Sequence, residues 1–183
     1  MRTPALSLTT LHRLFILLTC ARLTLFFSDV TLVTAAQSDP HLALRPNLVE
    51  NVIPESEFVD QTNMYREEAG LAPLKENDQL TAAAEAKVED MVANNYWDHF
   101  RPSDGKAPWD FVDEAGYHYK VAGENLARGF RTAGGITQAW MASPAHAANL
   151  LSAKYQDVGF ASAYSYDQSG ERVILTVQML GAK

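Results

Sequence analysis

One segment near the C-terminus constrains the fold of this 183-residue chain more than any other. Between Glu171 and Leu180, both the odd and the even positions carry apolar side chains, and alternate residues of a strand face opposite ways. A strand that is apolar on both faces must be covered on both sides. The sequence therefore predicts a sheet that lies between two helical layers. The two faces are Val173, Leu175, Val177 and Met179, against Ile174, Thr176, Gln178 and Leu180.

A second strand is predicted over Asp157–Ser165, and the turn residues Asp167 to Gly170 join it to the first as a hairpin. Helices are predicted where apolar residues recur every three or four positions. Tyr117 to Phe130 is predicted to be irregular or short-stranded. The predicted helices are Glu57–Ala69 with Ser56 as N-cap, Gln79 to about Asn94 with Asp78 as N-cap, Pro108–Ala115 closed by Gly116, Ile136–Ala142 after Gly134 and Gly135, and a restart at Pro144 with Ser143 as N-cap.

The first 36 residues are typical of an export leader. Arg2 and Arg13 supply a positive start, an apolar run follows, and Ala35 and Ala36 suit cleavage. Arg22 and Asp29 interrupt the run before it reaches the ~20 apolar residues of a spanning helix. We expect a signal peptide over residues 1–36, with an uncleaved membrane anchor as the alternative. Residues 37–55 are interpreted as a linker and residues 56–181 as one domain.

Charge and cysteine content exclude several classes of protein. The formal net charge is -7, which argues against a nucleic-acid partner because phosphate contacts require clustered Lys and Arg. It also argues against binding anionic membranes by charge alone, so a membrane contact is expected only through an uncleaved leader. The single cysteine, Cys20, lies in the leader. The predicted domain therefore has no disulfide and no thiolate nucleophile.

Three stretches place an imidazole or a carboxylate beside large apolar side chains. They contain His99 after Trp97, Glu124 before Asn125, and His146 after Ser143. Burying such groups is unfavourable unless they share partners or bind an ion. A solvated or core-bonded role is the alternative for each of them. His118 is interpreted as a surface residue.

His146 would be the third residue of a helix capped by Ser143, where the positive helix end favours a neutral ring. Such a ring is a metal ligand or a proton acceptor. A buried Glu124 carboxylate needs a cation, a His or backbone donors as a partner. The alternative role is structural: Glu124 and Asn125 tie a loop to the core. Asp98 could pair with His99 or simply be solvated. Two imidazoles and one carboxylate suit Zn²⁺ with an open position, although no short metal signature such as HExxH is present.

The order of these motifs resembles a known superfamily, the cysteine-rich secretory proteins, antigen 5 and pathogenesis-related proteins, called the CAP or SCP domain. Its cysteine-poor bacterial branch is the most similar. The likeness covers about Phe58 to Leu180. Its motifs are Gly70-Leu71-Ala72-Pro73-Leu74, Asp98-His99-Phe100, Gly123-Glu124-Asn125-Leu126, and Trp140-Met141-Ala142-Ser143-Pro144-Ala145-His146 with Asn149.

The resemblance implies an α+β fold, a three-layer α/β/α sandwich with a mainly antiparallel central sheet. It also implies a cleft in which His99, Glu124 and His146 match three of four family positions. Ser143 stands where a second Glu occurs, so a two-acid mechanism is weakened. A His–Glu–His pocket for Zn²⁺ or another divalent cation remains, with Ser143 and Asn125 also in the cleft.

Three functions follow as hypotheses from the motifs and the resemblance. The preferred one is a secreted or cell-surface binding module with a metal-capable cleft. Its extracellular ligand would be cell-wall material, a lipid or a protein. A metal-assisted extracellular hydrolase acting on peptide or cell-wall substrates is the first alternative, with His99, His146 and Glu124 as the metal set. A lipid- or sterol-binding protein is the second alternative.

Overall fold

A computed structural model describes residues 52–183, which belong to one compact unit. The predicted leader and nearly all of the predicted linker lie outside these residues. No helix in the described range is both long enough and apolar enough to cross a bilayer. In chain order the elements are α1 Glu55–Glu68, β1 Lys75–Glu76, α2 Asp78–Ala93, α3 Pro108–Glu114, β2 Val121–Arg128, α4 Ala133–Met141, α5 Pro144–Leu150, β3 Asp157–Tyr166 and β4 Arg172–Ala182.

The sheet has the strand order β1-β3-β4-β2. β4 pairs antiparallel with β3 on one side and with β2 on the other, and only the two-residue β1 runs parallel to its neighbour. The predicted hairpin is therefore confirmed, and so is the mainly antiparallel sheet. β2 lies at the open end of this order, so one of its two edges has no partner strand among the described residues.

Both faces of β4 are covered, as its sequence predicts. Leu175, Val177 and Met179 pack in a core with α2 and α3. Ile174 and Leu180 pack in a second core with α1, α4 and α5. The protein is thus a three-layer α/β/α sandwich, which confirms the expected fold.

Two helix caps differ from prediction. α1 begins at Glu55, the last residue of the predicted linker, and Pro54 rather than Ser56 holds its N-cap position. The Glu55 carboxylate accepts hydrogen bonds from Thr81 Oγ1 and Phe160 N, so long-range contacts set this boundary. α2 is capped by Asn77, whose Oδ1 accepts from the N–H groups of Gln79 and Leu80, and not by Asp78. Adjacent Asn and Asp are equally good caps, and local sequence does not separate them.

Two further segments are more regular than the sequence suggests. The Tyr117–Phe130 segment contains β2, an eight-residue strand paired along its length with β4. Gly134 and Gly135 lie inside α4, because Thr132 is the N-cap of that helix. Its Oγ1 accepts a hydrogen bond from Gly135 N. β1 was not predicted, because its two residues are exposed and are a strand only through their pairing with the distant β3.

Gly159 fixes how closely α2 lies on the sheet. Any Cβ added there would collide with the backbone of Leu80 and Thr81, in the first turn of α2. Real Cβ atoms do not approach backbone so closely, so the helix and β3 would have to separate. The loop that carries His99 leaves the far end of α2, and its position therefore depends on this contact.

We predict that Gly159→Ala lowers the free energy of unfolding by about 2 kcal/mol or more, because neither backbone can give way locally. Gly134→Ala is the matched control. Its Cβ would meet only the flexible end of Gln61, and Ala favours the helix, so a change within about 0.5 kcal/mol is expected. Urea unfolding of both variants measures the difference. Equal stability of the two would refute the close approach.

Candidate functional site

Glu124 and Asn125 are neighbours on β2 and point to opposite faces of the sheet. Glu124 reaches the loop after α2, where its Oε1 contacts His99 Nδ1. Asn125 reaches the other layer, donating through Nδ2 to Gln178 Oε1 at 2.7 Å and to the carbonyl of His146 at 3.4 Å. The end strand thus connects both helical layers through two adjacent side chains.

The free edge of β2 is closed by side chains and not by another strand. Three alternate carbonyls along it, those of Ala122, Glu124 and Leu126, accept hydrogen bonds. Unpaired backbone groups of an edge strand are unfavourable if buried. Tyr155 Oη donates to the carbonyl of Ala122 at 3.2 Å. Asn149 Nδ2 donates to that of Glu124 at 3.0 Å, and Trp140 Nε1 to that of Leu126 at 2.9 Å.

These donors position α5 beside Glu124. Asn149 lies on α5 and also donates to Asn125 Oδ1 at 2.9 Å. Arg66 of α1 holds the end of the same helix, since its fully buried guanidinium donates to the carbonyls of Leu150 and Ser152. His146, one helical turn before Asn149, is thereby held at the β2 edge. Trp140 and Asn149 belong to the sequence motif that contains His146, but no local pattern indicated that they donate to the carbonyls of β2.

His99 and Glu124 form a close polar pair. Nδ1 of His99 lies 2.5 Å from Oε1 of Glu124, and the His99 side chain is 48% exposed whereas that of Glu124 is 1% exposed. Oε2 of Glu124 is buried without a hydrogen-bond partner in the described part of the chain. Of the two roles considered for Asp98, the structure shows the exposed one: Asp98 is exposed, and its Oδ1 accepts from Phe100 N at 3.3 Å.

The pair shifts both pKa values upward for different reasons. The hydrogen bond to Glu124 raises the pKa of His99, which favours the imidazolium. Burial raises the pKa of Glu124, which favours the neutral acid, while His99 and Lys87 oppose that rise. Each partner therefore favours the charged form of the other, while burial of Glu124 opposes its ionisation.

Lys87 fixes the loop that carries His99. Its ammonium group is buried under this loop and donates to the carbonyls of Asp98 at 3.0 Å and His99 at 2.7 Å, and to Tyr96 Oη at 3.1 Å. Burial lowers the pKa of Lys87, and nearby Glu124 opposes that change. The sequence analysis missed this residue, although Lys87 falls on the buried face of α2, three positions after Ala84 and four before Met91.

Ser143 occupies the predicted N-cap position of α5, but its side chain does not cap the helix. Its Oγ lies 2.9 Å from His146 Nδ1, and either atom can donate according to the tautomer of the ring. The predicted N-cap position of Ser143 is therefore confirmed, although its hydroxyl contacts His146 and not a helix N–H group. Burial lowers the pKa of His146, and the charge of His99 lowers it further, so His146 is neutral near pH 7.

The structure brings His99 and Glu124 into contact, and Ser143 and His146 into contact, around Asn125. Within residues 52–183, however, no three His, Cys, Asp or Glu side chains are arranged to hold a metal ion. The residue types suit Zn²⁺, but Nδ1 of each ring already has a protein partner. His118 is exposed, as predicted.

Comparison with known proteins identifies relatives of this chain. The cysteine-rich secretory protein family matches residues 59–179, about two thirds of the chain. An uncharacterized protein of Bacillus subtilis, YkwD, is 38% identical over 127 residues, covering 69% of this chain and 47% of that protein. A second, the uncharacterized membrane protein YlbC, is 30% identical over 105 residues, covering 57% and 30%. The chain thus spans less than half the length of these relatives.

Solved structures show the same fold. An extracellular protein of Bacillus anthracis that contains an SCP domain is 26% identical, with a TM-score of 0.60 over 70% of this chain and 40% of that one. An outer surface protein of Borrelia burgdorferi has a TM-score of 0.58 at 18% identity, over 68% and 89% of the two chains. The second similarity concerns the fold alone.

We predict that the two imidazoles titrate on opposite sides of the ordinary value of about 6.5. His99 stays protonated to higher pH because of Glu124, and His146 loses its proton at lower pH because of burial. Glu124→Gln removes the charge that holds the His99 proton, so the His99 midpoint falls. Long-range ¹H–¹⁵N NMR of the ring nitrogens between pH 4 and 9 measures both. A His99 midpoint that Glu124→Gln leaves in place contradicts the pair.

Proposed function

The chain belongs to the cysteine-rich secretory protein family, and from that premise we propose that it is a secreted or cell-surface binding module. Its ligand would contact the polar cluster at the β2 edge, formed by His99, Glu124, Ser143 and His146 around Asn125. The similar protein of Bacillus anthracis is described as extracellular, which supports this location. The predicted leader over residues 1–36 is consistent with it.

One observation carries the proposal. The acid of the cluster, Glu124, is buried beneath His99, while His99 itself is about half exposed. A ligand would therefore meet an imidazole whose orientation is fixed from below by the carboxyl group of Glu124. The loop beneath it is held by Lys87. A rigid polar side chain on a fixed loop suits recognition, because little side-chain freedom is lost on binding.

The two alternative functions stay predictions. A metal-assisted hydrolase would need Glu124 as a ligand or general base, and this carboxylate is engaged by His99 through Oε1. A lipid- or sterol-binding role rests on aromatic content, of which Phe111, Tyr117 and Trp140 are buried in the cores. Neither has a specific contact in its favour.

A sedimentation experiment tests the binding proposal. The full chain, expressed with its leader and recovered from the medium or cell surface, is mixed with isolated Bacillus subtilis envelopes. His99→Gln is expected to weaken co-sedimentation about tenfold, because the exposed imidazole is lost while Gln can still donate to Glu124. His118→Gln is the matched control, since His118 is exposed outside the cluster. Thermal unfolding confirms that both variants fold. Equal binding by all three proteins, or no binding by the wild type, would refute the proposal.

Binding of Zn²⁺ or another divalent cation by His99, Glu124 and His146 is a separate prediction. Its support is the buried, unpartnered Oε2 of Glu124, although the observed arrangement does not present three ligands together. An ion would have to displace the His99 proton, so affinity should fall as the pH drops below 7. Calorimetry with ZnCl₂ on the wild type, on His99→Ala/His146→Ala and on His118→Ala measures this. Equal binding by all three proteins removes the site.

A further inference from the structure

A cavity lies on the same face of β2 as Glu124, beyond the polar cluster. It has a volume of about 310 Å³ and lies between the loop after α2, the end of β2 and the β3–β4 turn. Arg128 lines it, four residues along the strand from Glu124, which places it ~13 Å away on the same face. The cavity is therefore distinct from the cluster used in the proposed function.

The lining combines aromatic rings with unused polar groups. Trp97 is 37% exposed and Tyr166 is 65% exposed, and the buried side chain of Leu175 forms part of the wall. The side chains of Asn95, Arg128 and Gln168 also line it. Among the described residues, no hydrogen bond is formed by these three side chains. Large exposed aromatic side chains in a concave site with convergent polar groups indicate ligand binding.

The neighbours of Trp97 in the sequence are held in place before any ligand arrives. Lys87 donates to Tyr96 Oη, one residue before Trp97, and to the carbonyl of Asp98, one residue after it. The loop that carries Trp97 is thus fixed from inside the protein by a buried cation. A ligand that stacks on Trp97 does not have to order this loop, which favours affinity.

The polar side chains that line the cavity suit a neutral ligand with many hydroxyl groups. Asn95 and Gln168 each offer both a donor and an acceptor, which is what a hydroxyl group requires. Arg128 lies near Asp167 and the two opposite charges offset each other, so the cavity has no strong preference for an anion or a cation. A lipid chain would leave these polar groups unsatisfied.

We propose that this cavity is a subsite for a neutral oligosaccharide of pyranose units. The apolar face of one ring stacks on Trp97, Tyr166 contacts the same or the next ring, and Asn95, Gln168 and Arg128 bind the hydroxyl groups. This goes beyond the proposed function, because it assigns a different cavity and a chemical class of ligand to it. Hexoses and N-acetylhexosamines share this chemistry, and the experiment separates them.

The test is an NMR titration of the full chain with two soluble probes, cellotetraose and chitotetraose, up to ~10 mM. Saturating shifts centred on Asn95, Trp97 and Gln168 are expected with one or both, and the tighter probe identifies the ring type. Trp97→Ala should weaken binding at least tenfold and Trp97→Phe less. Phe130→Ala, an aromatic side chain of similar exposure (38%) outside this cavity, should leave it unchanged.

The outcomes are distinct from those of the envelope experiment. His99→Gln should leave oligosaccharide binding unchanged, so failure of the binding-module proposal does not affect this one. Absence of saturating shifts with either probe would overturn the proposal. Binding that Trp97→Ala leaves intact, in a variant whose thermal unfolding matches the wild type, would also overturn it.

Discussion

The hydrogen bonds along the outer edge of β2 organise the candidate site. β2 ends the sheet, and its outward carbonyls at Ala122, Glu124 and Leu126 need donors that no neighbouring strand in the described range supplies. Side chains from α4, α5 and the segment before β3 supply them. A hydrogen-bonded edge resists pairing with other chains, so the same contacts that hold α5 in place also protect the sheet. His146 reaches the edge because its helix is held there.

Two buried cations hold the segments on either side of that edge. Lys87 fixes the His99 loop from within the α2 layer, and Arg66 fixes the end of α5 from within the α1 layer. Both donate to backbone carbonyls, and within residues 52–183 neither is hydrogen-bonded to a carboxylate. Burying a charge is unfavourable, and several carbonyl acceptors offset part of that loss. We interpret these two residues as positioning groups: neither belongs to the polar cluster, yet both determine where its members lie.

Local pattern was sufficient for some parts of the structure and not for others. The alternation in β4 and the hairpin turn were readable because both depend on residues close together in the sequence. The start of α1 was not, because Glu55 is held by Thr81 and Phe160. The N-cap position of Ser143 was readable, but the partner of its hydroxyl was not, since that group contacts His146 Nδ1 and not a helix N–H group. Lys87 was missed although its position on the buried face of α2 was readable, and only the tertiary structure identifies its acceptors in the loop after that helix.

By itself, the sequence determined the layers and the family. Periodicity dictates which faces of β4 and α2 are buried, and the ordered motifs from Gly70 to Asn149 are specific to one family. Only the tertiary structure decided the partners of the polar residues. His99 and Glu124 are 25 positions apart, and their contact depends on how α2 lies against β3 and where β2 ends the sheet. Hydrogen bonds depend on atoms within about 3 Å, and no local pattern fixes distances between segments so far apart in the chain.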